Sequence, residues 1–230
     1  MIATHSNLLG IGLYTPSEAA FYARLHTRTL NRWLYGDAQG EPLLDPQRGR
    51  DDKNVSFLDL MQALSIRAIT TMPGKRRISL RKIREAVLEA KVRYAIEYPF
   101  AMEHVTYLLG DTVIIKCAED DYRPLTGSTK GNRLLTEVVE VCKKKIVYGP
   151  EGLATQYNAW GSEKASIVLD PLRRFGEPMF PEYGYTAQTL WDAVASEGSV
   201  AAAARAYGVP EEAILVACEY RDHLQGTTAA

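Results

Sequence analysis

The stretch YTPSEAAFYARLHTRTLNRWLYG, residues 14–36, decides how the chain is read. Thr15 followed by Pro16 and Glu18 is a capping box, with proline at the first helical position, where its missing N–H costs nothing. Ala19, Ala20 and Ala23 give the resulting helix a small-residue face that a neighbour can approach closely, and the helix is expected to end near Arg24 and Leu25. Thr27 then caps a second helix over 28–35, and Gly36 stops it. Leu30, Trp33 and Leu34 recur at three- and four-residue spacing and pack inward. Arg28, Asn31, Arg32 and Tyr35 fall on the opposite face and are expected to point outward together. Two short capped helices with a cationic outer face are either a small helical hairpin or a helix-turn-helix.

Charge along the chain favours the second reading. Residues 1–100 hold 15 Lys+Arg and 10 Asp+Glu, an excess of +5, whereas residues 101–230 hold 12 and 18, giving −6. The net charge of −1 conceals this division. A basic half suits a polyanion, because phosphate neutralisation supplies most of the sequence-independent affinity for DNA. Arginine meets guanine and asparagine meets adenine in the major groove. Arg28, Asn31 and Arg32 are therefore the candidate base readers, with Tyr35 beside them and Arg24 and Thr27 on phosphate. Residues 36–54, GDAQGEPLLDPQRGRDDKN, read as a loop or hairpin wing that brings Arg48, Arg50 and Lys53 to the flanking backbone.

Beyond the wing, residues 55–70 read as a helix with Ser56 as a cap candidate. Ser79 caps another that Pro99 ends. VTYLLGDTVIIK, residues 105–116, alternates around Gly-Asp and reads as a β-hairpin. Residues 132–143 read as a helix. IVYGPEGLATQYNAW, residues 146–160, is a second hairpin-like stretch, and SIVLDP, residues 166–171, a short strand. Thr186, Ser199 and Pro210 open three terminal helices. The last begins Glu211-Glu212 and continues AILVACEY, which suits the helix dipole but repels phosphate. The two helix-turn-helix-like units share a shape and not a task. The fold class is mostly α with small β elements (α+β). The expected division is 1–100 for DNA binding, 101–165 as a central β-hairpin/helix segment, and 166–230 as a three-helix unit.

Other function classes are excluded. The three cysteines are far apart, none in C-x-x-C, and the four histidines are scattered, so neither a disulfide framework nor a zinc site is expected. Gly127-Ser128-Thr129-Lys130-Gly131 lacks the spacing of a phosphate loop. No nucleophile–base set has a local signature, so no catalytic residue, metal or cofactor is expected and the protein reads as a non-enzyme. No apolar run approaches a membrane span and no secretory signal is evident, which points to the cytoplasm.

At these residues the chain resembles known families. Residues 14–34, the Gly-rich wing, SFLDLMQAL and ISLRKIREAV together resemble the winged helix-turn-helix of MerR-type regulators, with a longer wing and without the long coiled-coil helix. The tail from SIVLDP onward, with Asp170-Pro171, Gly176-x-Pro178 and the Gly208-Val209-Pro210 turn, resembles the small helix-turn-helix domain of unknown function numbered 433. The combination is similar to VapB-type antitoxins. That resemblance implies an antitoxin that neutralises a PIN-domain ribonuclease toxin by contact and represses its own operon on operator DNA. It implies a homodimer within a larger toxin–antitoxin complex. Since such a ribonuclease has an acidic, metal-binding centre, Lys143, Lys144, Lys145, Arg173 and Arg174 are the candidate toxin contacts. The competing reading is a MerR-like transcriptional repressor with no toxin partner.

Overall fold

The computed structural model describes residues 12–38, 40–71, 78–103, 105–109, 112–118, 121–124, 145–162 and 164–226. It is α+β, with seven α-helices and small antiparallel sheets among these residues. The chain divides into two compact units, 1–154 and 155–230.

In the first unit, β1 (Gly12–Tyr14) leads into α1 (Pro16–Tyr22), and α2 (Thr27–Tyr35) follows a short turn. The expected capping box is present: the Glu18 N–H donates to Thr15 Oγ1 at 3.3 Å, and the Thr15 N–H donates to Glu18 Oε2 at 2.8 Å. Two details differ from expectation. Helix α1 stops at Tyr22, and α2 begins at Thr27 with His26 as an N-cap that makes no side-chain bond. The cause is Arg24, which takes a left-handed conformation (φ 51°) and turns the chain earlier.

β2 (Val55–Ser56) pairs antiparallel with β1, Gly12 facing Ser56 and Tyr14 facing Val55. This bridge ties the start of α1 to the start of α3 (Phe57–Thr71). Val55, expected in the helix, is strand instead because it pairs with β1, whereas Ser56 fills the cap role expected of it, its Oγ accepting the Asp59 N–H at 3.1 Å. Helix α3 is the centre of the unit, with Phe57, Leu58, Leu60, Met61, Ala63 and Ile66 all buried. A helix apolar on most faces belongs in a core. Helix α4 (Leu80–Tyr94) buries Ile83, Ala86, Val87 and Ala90. It is capped by Ser79 as expected but ends at Ala95, in a left-handed conformation, well before Pro99; Pro99 instead opens a 3-10 turn, Pro99–Ala101. Beyond it β3 (Val105–Leu109) pairs antiparallel with β4 (Thr112–Ala118), Leu109 facing Thr112, and β5 (Asp121–Pro124) adds an unforeseen third strand. β6 (Ile146–Tyr148) is followed by a turn in which the Gly149 N–H donates to Leu153 O at 2.9 Å. The helix expected over 132–143, Cys142 and the Gly127–Gly131 loop lie outside the described residues.

In the second unit, β7 (Ala154–Gly161) and β8 (Ser166–Leu169) form an antiparallel hairpin with Tyr157 facing Leu169 and Gly161 facing Ser166. Gly161 is required there: its φ is 105°, and a Cβ would sit 2.1 Å from Ala165 O. The hairpin belongs with the helices that follow, so the unit begins ahead of residue 166. Helices α5 (Ala187–Glu197), α6 (Val200–Tyr207) and α7 (Glu211–Gln225) are capped by Thr186, Ser199 and Pro210, the first two through side-chain bonds. Phe180, Leu190, Ala203, Ile214 and Ala217 fill the core.

Candidate nucleic-acid interface

Helix α2 presents two unlike faces. Leu30, Trp33 and Leu34 are buried, and Arg28 and Arg32, one turn apart, are exposed. Among the described residues neither arginine side chain makes an ion pair. The face is narrower than the sequence implied. Asn31 Oδ1 and the Tyr35 hydroxyl are buried without a hydrogen-bond partner among the described residues, so these two do not project with the arginines. At Tyr35 the reason is the chain after α2, which folds back over the end of the helix. Lys53 places its Nζ 4.2 Å from the centre of the Tyr35 ring, and both the Leu43 and Leu44 N–H groups donate to Trp33 O, at 2.8 and 2.9 Å.

Residues 36–54 are therefore not an extended β-hairpin wing. Their one antiparallel pairing among the described residues is the Asp37–Gly40 bridge. Gly36 (φ 74°) starts the fold-back, and a Cβ there would meet Gly40 O at 2.9 Å. Leu43 and Leu44 are buried, which explains the compactness: an apolar pair in mid-loop pulls the segment onto the helices. Helix α4 holds it there. Arg84 Nη2 donates to Glu41 O at 2.8 Å and its Nε to Pro42 O at 3.1 Å, while Lys91 Nζ meets Asp45 at 2.7 Å.

The wing cations have local partners. Arg48 pairs with Asp52, and Arg50 Nη1 lies 3.1 Å from Glu41. The Asn54 backbone N–H, then the Arg48 guanidinium, hold the Asp52 carboxyl below the usual carboxylate range. Such solvent-exposed pairs are weak, because water and salt screen them and two long side chains must be ordered, so they can exchange for phosphate. Thr27 is half-buried at the start of α2. Arg24 sits in the tight α1–α2 turn, and partial burial lowers its pKa.

Beneath this surface lies a group that periodicity did not single out. Asp59, buried within α3, accepts from Ser56 Oγ at 2.9 Å and from the Ser56 and Gln47 N–H groups at 3.2–3.3 Å. The Asp59 N–H in turn donates to Ser56 Oγ at 3.1 Å. Ser-x-x-Asp is a capping box whose acid is aspartate, a signal legible in SFLD. Burial pushes the Asp59 pKa up to about 6, against the lowering effect of those bonds. Burial, with Asp59 and Asp52 nearby, pushes Tyr35 up to about 12. The carboxylate thus fastens the wing loop, through Gln47, to the start of the core helix.

In the second unit Arg173 and Arg174 are exposed, but their guanidiniums fold along their own loop, donating to Pro181 O at 2.8 Å and Gly184 O at 2.9 Å. Lys145 is half-buried at the entry to β6; Lys143 and Lys144 lie outside the described residues. Helix α7 turns Glu211, Glu212, Leu215, Glu219 and Asp222 to solvent, an acidic face. Cys218 on the same helix is a half-buried thiol whose pKa burial raises. Among the described residues no His, Cys, Asp and Glu cluster could hold a metal, and no helix is long and apolar enough to cross a membrane.

The crystal structure of Rv2018 from Mycobacterium tuberculosis has a similar fold. The TM-score is 0.62 at 19% identity, over 90% of this chain and 98% of that one. No protein-family model matches the chain, and no curated protein matches it.

Proposed function

We propose that the protein is a DNA-binding antitoxin of the VapB type that represses its own operon and neutralises a ribonuclease partner. The observation that carries the DNA half is the pair Arg28 and Arg32, exposed and without ion-pair partners among the described residues on the face of α2 opposite buried Leu30, Trp33 and Leu34. Helix α2 enters the major groove in a MerR-like manner. Arg28 and Arg32 meet base edges there, Arg24 and Thr27 contact phosphate, and Arg48, Arg50 and Lys53 reach the flanking backbone. Asn31 and Tyr35 shape the end of the helix. One such helix reads few base pairs, so two copies act on a palindromic site. The toxin half rests on the resemblance of the tail to antitoxin domains. The acidic face of α7 supports a division of labour in which the second unit binds protein.

The test is binding of the full chain to the DNA upstream of its own gene, at about 50 and 200 mM salt, with wild type and Arg28→Ala/Arg32→Ala. Steep salt dependence and loss of binding in the double variant are expected. Binding by the double variant equal to wild type would sink the assignment. Growth rescue on co-expression with the neighbouring gene product tests the toxin half. DNA binding without rescue leaves a MerR-like repressor with no toxin partner.

A further inference from the structure

Three consecutive residues of the second unit, Arg174, Phe175 and Gly176, adopt left-handed backbone conformations, with φ of 47°, 54° and 79°. Glycine does this without strain. A bulky side chain does not, because its Cβ crowds the carbonyl oxygen that follows, and a bulky residue at positive φ is a genuine outlier. The consequence is where Phe175 stands. At 80% exposure it is the most exposed large apolar side chain among the described residues, and Leu172 beside it is 48% exposed.

The loop is held in this shape at every turn. Asp170 Oδ1 accepts from the Leu172 N–H at 2.9 Å, and the Gly176 N–H donates to Arg173 O at 3.0 Å. Arg173 and Arg174 brace it from the sides through the carbonyls of Pro181 and Gly184. Among the described residues the Phe175 ring makes no aromatic contact and is left to solvent. Asparagine would tolerate the backbone better, and a polar side chain would suit the solvent. Strain that the surroundings over-determine marks a working position.

We propose that Phe175 is an anchor residue that inserts into an apolar cleft on a partner protein whose rim carries carboxylates. The proposal rests on the antitoxin reading, which supplies a ribonuclease with clustered carboxylates as that partner. Arg173 and Arg174 immediately precede Phe175 in the same exposed loop, and a guanidinium has five N–H donors, so bracing one carbonyl leaves others for the rim. Aromatic and arginine side chains together make the usual centre of an interface. A second copy of this chain is the poorer occupant, because two such loops would bring four guanidiniums together. DNA is poorer too, since residues 155–230 hold 5 Lys+Arg against 10 Asp+Glu.

The experiment uses the full chain, wild type and Phe175→Asn, with the product of the reading frame adjacent to its gene. Thermal unfolding and calorimetric titration are read for both. The expected result is an unchanged or higher melting temperature for Phe175→Asn, with affinity reduced at least about 30-fold. Equal affinity of both forms overturns the anchor and leaves the antitoxin reading standing. A lower melting temperature in Phe175→Asn shows a packing role and also overturns it. Failure of the wild type itself to bind overturns the antitoxin reading, and the anchor with it.

Discussion

Asp59 and Ser56 exchange bonds at the start of the core helix: the Ser56 hydroxyl donates to Asp59 Oδ2 at 2.9 Å, and the Asp59 N–H donates to Ser56 Oγ at 3.1 Å. The same carboxylate takes the Gln47 N–H, so one buried acid joins the cap of α3 to the wing loop.

Its ionisation gives a pH signature. The folded-state pKa, about 6, lies above the ordinary 3.8, so between these values the folded state binds more protons than the unfolded one. The Asp59 contribution to stability is then greatest at low pH and is lost as pH rises through about 6. A shift of this size corresponds to about 3 kcal/mol. Asp59→Asn keeps an acceptor for Ser56 and Gln47 and removes the titration. Denaturant midpoints measured from pH 4 to 7 are expected to fall with pH less steeply in the variant than in wild type. Parallel curves would show that another group dominates.

Two glycines of the second unit separate strain from collision. Gly208 has φ 64° and open space around it, so Gly208→Ala costs only the backbone preference, about 1 kcal/mol. Gly161 has both an unfavourable φ and a carbonyl in the way, and Gly161→Ala is expected to cost more than about 2 kcal/mol. Urea unfolding of the two variants compares them directly, and equal losses would place the β7–β8 turn elsewhere than described.

The Lys53–Tyr35 contact is worth about 0.5–1 kcal/mol at an exposed site. Lys53→Met is expected to lower stability by no more than this. If Lys53 also meets phosphate, the variant reduces the slope of log affinity against log salt by about 1. An unchanged slope would confine Lys53 to holding the wing.

Single replacement of Arg28 or Arg32 by alanine is expected to weaken operator binding by about 1–3 kcal/mol each and to relax preference at one base pair. Anisotropy titrations against single-base operator variants provide the measurement. Uniform weakening across all variants would assign that arginine to the backbone.

Local signals were legible wherever a residue acts on its immediate neighbours. The Thr15–Glu18 box, the Ser79, Thr186 and Ser199 caps, the stops at Gly36 and Gly208, and the inward triad Leu30, Trp33 and Leu34 depend on spacing alone, because helix geometry brings residues three and four apart together. Spacing failed where a distant segment competed. Val55 became strand through pairing with β1, although Ser56 still caps α3, and the Tyr35 hydroxyl is buried where the chain after α2 returns under Lys53.

Spacing along the chain was enough to place the capped helices among the described residues, the apolar face of α2, and Arg28 and Arg32 opposite it. Long-range packing set which cations are already partnered, where the buried carboxylate sits, and that Phe175 stands in solvent while Arg173 and Arg174 turn back as braces. The first set follows from covalent spacing along a helix. The second depends on residues distant in sequence and on backbone angles at Arg174 and Phe175 that no local pattern specifies.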